Sequence, residues 1–173
     1  MKKLLIITMI IIIVLSITKK EIITIPNESI RFRIIASSNN KKDQQIKKEL
    51  LKELTTSINE IEIVPNNMEE TRKIIEENIP KFEAIIEKTL KKNNYSKSYK
   101  IEYGDNYFPE KDYKGTIYKE GKYESLVITL GDGLGENFWC VLFPPLCLLE
   151  TSEEEIGEVE YTSFIKEIIE KYF

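Results

Sequence analysis

The chain has 173 residues, 42% of them hydrophobic, which suffices for one domain with its own core and is too apolar for a disordered chain. A net charge of -4 and a pI near 5.2 leave no basic surplus to neutralise phosphates, which argues against a nucleic-acid binder. Histidine is absent, so Ser-His-Asp and Cys-His catalysis are excluded and a zinc site is disfavoured.

Lys2 and Lys3 precede an almost unbroken apolar run from Leu4 to Ile17. That order matches the n-region and h-region of an export signal. No small-residue cleavage site and no lipid-accepting cysteine follow it, so the segment is either removed or kept as an anchor at the membrane surface. Both outcomes place the domain outside the cytoplasm. The expected organisation is an export signal or membrane anchor over residues 1–25 and a single domain over 29–173, joined by a connector containing Pro26.

Within the domain, Ile30, Phe32 and Ile34 alternate with Arg31 and Arg33, a strand that is fully buried by Ile34-Ile35. Ser37-Ser38-Asn39-Asn40 supplies turn and N-cap residues, and Asn40 with Asp43 resembles a capping box. A helix over 41–61 follows, with Ile46, Leu50, Leu54 and Ile58 on one face, ended by Val64-Pro65-Asn66. The next helix spans 68–92 on the stripe Ile75, Ile79, Phe82, Ile86 and Leu90. Pro80 inside it should kink it or split it, and Asn93-Asn94 should cap it.

Beyond Tyr95 the pattern changes to aromatic and β-branched alternation. Tyr99, Ile101 and Tyr103 share a strand face, Gly104-Asp105-Asn106 reads as a turn, and Tyr113 to Tyr118 as a short strand. Tyr123 to Leu130 is a strong strand, Gly131-Asp132-Gly133 a loop, and Phe138 to Phe143 a strand stopped by Pro144-Pro145. Residues 150–160 are acidic and irregular, and Tyr161 to Phe173 is a terminal helix. The class is α+β: a mainly antiparallel sheet with two amphipathic helices packed on one face and a C-terminal helix.

The run from Gly131 to Cys147 holds three of the seven glycines, the one tryptophan, both cysteines and two of the six prolines. Gly131-x-Gly133-x-Gly135 invites a phosphate-loop reading, but a strand follows it instead of a helix, and no Lys-Ser or Lys-Thr comes after. It therefore reads as a tight glycine turn between strands. Asp132 and Glu136 flank that turn, either as solvated turn residues or as an acid–base pair. Trp139 fits a core position or, with the apolar run to Leu149, a partner-binding patch stiffened by Pro144-Pro145. Cys140 and Cys147 fit a short-loop disulfide or two buried thiols, and without histidine they cannot complete a four-ligand metal site. Ser37-Ser38-Asn39 ends a strand before a helix, a place where functional residues collect, although plain N-capping explains these residue types.

Two of these stretches carry a family resemblance. Ile30 to Asn39 (IRFRIIASSN), with Asp43-Gln44 just after, is similar to the motif I-R-x-x-V-I-A-N-S followed by E-D-Q. Gly131 to Cys147 is similar to G-x-G-x-G-x-N-W-W-C-V-L-F-P-P-L-C, and Tyr107-Phe108-Pro109, Tyr113 and Gly121-x-Tyr123-x-Ser125-Leu126 match the segment between. The chain thus resembles the stage II sporulation protein R family of endospore-forming Firmicutes over about residues 30–150. It departs from the pattern at Ser37, where asparagine is usual, at Phe138, which replaces the first tryptophan, and at the leucines after Cys147. The resemblance implies a signalling protein with no cofactor and no catalytic residues. Such proteins are made in the forespore and exported to the space between forespore and mother-cell membranes. There they activate a membrane-embedded aspartic protease of the mother cell, which processes the sigma factor E precursor. The expected contact residues are Gly131, Gly133, Gly135, Asn137, Trp139, Pro144 and Pro145. The competing reading is a secreted cell-wall hydrolase using Asp132 and Glu136.

Overall fold

The computed structural model describes residues 23–60, 67–113, 116–146 and 158–172. The apolar run from Leu4 to Ile17, the Val64-Pro65-Asn66 break, Cys147 and the acidic stretch over 150–157 lie outside the described residues. Among the described residues, seven strands and three helices follow in the order β1 (Ile23–Thr24), β2 (Ile30–Ile35), α1 (Lys41–Glu60), α2 (Met68–Lys92), β3 (Tyr99–Phe108), β4 (Lys111–Tyr113), β5 (Thr116–Tyr118), β6 (Gly121–Leu130), β7 (Asn137–Phe143) and α3 (Glu158–Tyr172).

The main sheet has four strands in the order β3-β6-β2-β7. β3 is antiparallel to β6 and β7 to β2, while β2 and β6 at the centre run parallel, so the sheet is mixed with antiparallel pairs in the majority. Alternation along β2 explains its central place. Ile30, Phe32 and Ile34 face the helices, and Arg31, Arg33 and Ile35 face the other way. From α1, Ile46, Leu50, Leu54 and Ile58 bury against this face, and from α2 Ile75, Phe82, Ile86 and Leu90 join them. Leu126, Ile128, Leu130 and Leu142 of the neighbouring strands complete the core. Burying each such side chain stabilises the fold by about 1.5–3 kcal/mol before entropy is counted. Arg72 of α2 pins the helix to β6 by donating from Nε and Nη2 to the Glu124 carboxylate at 2.9–3.0 Å.

One expectation narrows here and another changes. Of the two outcomes expected at Pro80, the split does not occur, since α2 is continuous from Met68 to Lys92. The proline is exposed, and the buried stripe on both sides of it, Ile75 and then Phe82 and Ile86, packs on one sheet face; that packing outweighs one lost backbone bond. Gly104-Asp105-Asn106 is not a turn, because β3 runs through it and pairs with β6 for ten residues, from Tyr99↔Leu130 to Phe108↔Gly121. Asn106 uses its amide on Gly104 O and Ser125 Oγ, both at 3.1 Å, so its turn-forming group is spent across the sheet. The C-terminal cap follows expectation, with Asn94 at a left-handed φ of 48° after Asn93, and at the other end Asn67 Oδ1 accepts from Glu70 N at 2.9 Å.

In place of the one short strand expected over Tyr113 to Tyr118, two strands, β4 and β5, pair antiparallel, and β1 adds to β5 in parallel, giving a second sheet in the order β1-β5-β4. This small sheet and α3 cover part of the main sheet's second face. Tyr118 and Ile25 pack with Val141, Leu146 and Ile165. Further along that face Phe108, Tyr123 and Val127 form a smaller cluster with Ile35 and Trp139 at its edge.

Candidate functional site

The two unusual stretches of sequence meet at one end of the main sheet. Leaving β6, the chain turns at Gly131 (φ 51°) and Gly133 (φ 66°), left-handed positions where a Cβ is disfavoured. The turn then lies along Ser37-Ser38-Asn39. Leu134 N donates to Ser37 O (3.1 Å), Gly135 N to Ala36 O (2.8 Å) and Glu136 N to Asn39 Oδ1 (2.7 Å). Asp132 N reaches Ser37 Oγ at 3.3 Å, and Lys47 Nζ donates to Glu136 O at 2.9 Å. The approach leaves no room for side chains. A Cβ on Gly131 would lie 2.4 Å from Ser37 Oγ, and one on Gly135 would lie 2.5 Å from Ser38 O. The glycine spacing thus serves a loop-on-loop contact.

Beneath this contact sits Asp43, only 2% exposed. Its Oδ2 accepts from Ser38 Oγ (2.6 Å), Lys97 Nζ (2.9 Å) and Asn40 Nδ2 (3.0 Å), and its Oδ1 accepts from Tyr95 OH (2.8 Å). Burial alone would push this carboxyl up, but the hydrogen bonds from Ser38, Lys97 and Tyr95 and the Lys97 charge outweigh it and hold the group at about 2. Burial and the bond to Asp43 push the Tyr95 phenol up to about 12. The expected capping box is half realised: Asp43 N donates to Asn40 Oδ1 at 2.8 Å, while the Asp43 carboxylate turns inward to the network. Gln44 Nε2 donates to Ser38 O (2.9 Å) and Asn39 Oδ1 (3.3 Å), so both residues of the Asp43-Gln44 pair hold the same loop.

Lys97 Nζ also donates to Ser37 Oγ at 2.9 Å, the spacing of a serine–lysine pair, with the Asp132 N–H nearby. The surroundings oppose nucleophilic chemistry. Ser37 is 1% exposed, and Lys97 is ion-paired with Asp43, so its nitrogen offers no lone pair to a proton. Asp132 and Glu136 are exposed, and neither carboxylate has a hydrogen-bond partner among the described residues. Nothing there holds the pair at a fixed separation for acid–base work.

Along β7, Asn137 and Trp139 face away from the helices. In the amide orientation that satisfies both groups, Asn137 donates to Gly135 O (3.1 Å) and accepts from Arg33 Nη2 (2.9 Å). Trp139 is half-buried, edge-on to Phe108 at 5.3 Å, with the Arg33 and Lys111 cations each 5.3 Å from its ring. It walls an open pocket of about 380 Å³ whose other lining residues are Pro109, Glu110, Lys111, Glu136 and Asn137. Gly131, Gly133, Gly135, Asn137 and Trp139 therefore belong to one region. Pro144 and Pro145 lie at the other end of β7, roughly 20 Å away by strand rise; the Phe143–Pro144 peptide is cis, Pro144 is buried and Pro145 half-buried. Cys140 is buried in the core and disulfide-bonded, and the chain's other cysteine, Cys147, lies outside the described residues. The apolar run is thus largely core, with Cys140 to Phe143 buried.

Sequence reasoning missed Leu134, which is 81% exposed at the tip of the glycine turn, and the Asp43–Tyr95–Lys97 network. Leu134 had a signal, since it is the one large apolar side chain between Gly131 and Glu136. The network had none, because its members lie 52 and 54 residues apart.

The chain is an α+β domain in which two distant sequence motifs meet in one loop surface. The family model for stage II sporulation protein R matches residues 26–153, and the chain belongs to that family. It is 38% identical over 154 residues to stage II sporulation protein R of Bacillus subtilis (strain 168), covering 86% of this chain and 67% of that one. That relative bears the name of a sporulation protein and not of an enzyme. No solved structure matches the chain.

Proposed function

We propose that this protein is an exported sporulation signal that activates a membrane-embedded aspartic protease of the mother cell and so triggers processing of the sigma factor E precursor. The observation that carries the reading is the clamped loop. Parts of the two stretches that carry the family resemblance, the end of Ile30 to Asn39 and the start of Gly131 to Cys147, build one surface feature by backbone hydrogen bonds and close glycine contacts. Buried polar networks specify geometry, and geometry is what a receptor-binding surface needs. The apolar N-terminal run supplies the route out of the forespore, into the space between the two membranes, and stays there as an anchor if it is not removed.

In this reading Gly131, Gly133 and Gly135 shape the contact, and Asn137 and Trp139 border it. Reconstitution tests it: the full chain is combined with the receptor protease and the sigma factor precursor in one membrane, and processing is followed with and without the chain. Processing should depend on the chain and should be lost with Trp139→Ala at normal secondary structure. Processing that proceeds equally without the chain would remove the activator role.

A further inference from the structure

We infer that Leu134 is the docking knob of this surface and that it enters an apolar socket with a basic rim on the protein partner. The inference rests on the activator reading above.

Leu134 is the most exposed large hydrophobic side chain among the described residues, at 81%, against 58% for Tyr107. A single exposed leucine on a mobile loop would mean little, since such a loop can fold its side chain back. This loop cannot. Leu134 N is bonded to Ser37 O at 3.1 Å, and its neighbours bond on either side, Gly133 N to Leu130 O at 3.1 Å and Gly135 N to Ala36 O at 2.8 Å. A Cβ on Gly133 would sit 2.7 Å from Thr129 Cγ2, and one on Gly135 would sit 2.5 Å from Ser38 O. The flanking positions are therefore kept free of side chains, and the leucine projects alone. The Asp43 network underneath holds Ser38 and, through Lys97, Ser37, the residues on which the loop rests. An apolar group held in water by a preorganised frame loses little freedom on docking.

Charge selects the partner. Asp132 and Glu136 stand two residues to either side of Leu134, both exposed. A socket for this leucine is therefore bordered by lysine or arginine. Glu136, whose backbone carbonyl accepts from Lys47, also lines the pocket walled by Trp139, where Glu110 adds a carboxylate and Lys111 a cation, so the acidic border of the leucine reaches that pocket. Positions that carry binding energy are anchors surrounded by weaker polar contacts, which is this arrangement.

The test uses the reconstituted processing assay at sub-saturating full-length chain, with thermal unfolding measured in parallel. Leu134→Asp should lower stimulated processing about thirtyfold, the size of a hot-spot deletion, with an unchanged unfolding midpoint because the site is exposed. Leu134→Ser should do the same without adding charge, and Leu134→Ile should stay within about threefold of wild type. The double reversal Asp132→Lys with Glu136→Lys should slow activation about tenfold, less so at high salt. Wild-type processing by folded Leu134→Asp and Leu134→Ser chains overturns the knob and leaves the activator reading in place. A wild-type chain that stimulates nothing overturns both.

Discussion

Asp43 and Arg31 are each almost sealed from solvent, at 2% and 1% exposure, and the protein accommodates the two charges in opposite ways. Around Asp43 four side chains donate, and Lys97 brings an opposite charge to 2.9 Å. Around Arg31 the neighbours are rings. Its guanidinium carbon lies 3.3 Å from the Tyr123 ring centroid, 5.4 Å from Phe108 and 5.9 Å from Tyr118. One long bond reaches Lys119 O at 3.4 Å, and Nε and Nη2 have no partner among the described residues. Burial lowers the Arg31 pKa, with Tyr123 and Tyr118 opposing the shift. A carboxylate is compact and needs converging donors, which fix geometry at a loop junction. A guanidinium is planar and weakly hydrated, so aromatic faces can hold it as they would an apolar side chain. The first arrangement makes a shape; the second fills a space between two sheets.

Substitution should expose that difference. Asp43→Ala removes the acceptor for Ser38 and Tyr95 and leaves the Lys97 ammonium, 41% exposed, to water, and should cost about 3 kcal/mol in denaturant unfolding. A cost below about 1 kcal/mol would mean that the network contributes little to the loop junction.

Acid should act on the same group to a smaller extent. The Asp43 carboxyl moves from its ordinary value of 3.8 to about 2 in the fold, so below pH 4 the unfolded chain binds its proton first. Its stabilisation is complete above that range and is lost as pH falls through 2, a step of about 2 kcal/mol. Asp43→Asn should remove this step from the pH–stability curve, and a wild-type curve that is flat from pH 4 to pH 2 would contradict the assignment.

Arg31→Met should have the smallest effect, within about 1 kcal/mol of wild type and of either sign. It replaces an incompletely bonded cation by an apolar chain of similar length among the same rings. A loss as large as that of Asp43→Ala would show that the ring-held charge is as exacting as the bonded one.

Local pattern carried most of the fold. Stripes at spacings of three and four in α1 and α2, and the alternation of β2 and β6, needed only residue order, and Asn93 and Asn94 marked the end of α2. What local pattern misread was decided by distant partners. Gly104-Asp105-Asn106 carries turn chemistry, yet β6 supplies ten residues of pairing that no window around Gly104 contains. β1 is two residues long and exists through β5, and β2 pairs in parallel with β6 across two helices and three strands of intervening chain. The site divided in the same way. Gly131, Gly133 and Gly135 stood out by composition, but their purpose became visible only against Ser37 and Ser38, nearly a hundred residues earlier. The Ser37-Ser38-Asn39 stretch proved to be both cap material and clamp, since Asn39 Oδ1 accepts from Glu136 N at 2.7 Å.

The chain's one tryptophan gives the docking face an optical reporter of its own. Trp139 is half-buried at the pocket wall, with Phe108 behind it and the Arg33 and Lys111 cations in range of its ring. Its emission therefore reports from this one place, with no background from other indoles. A partner that closes the pocket would exclude water from the ring and displace or fix the nearby cations, changing both emission wavelength and quenching. Under the activator role proposed above, engagement of a partner would thus be read from the unlabelled protein, in real time and separately from any processing step.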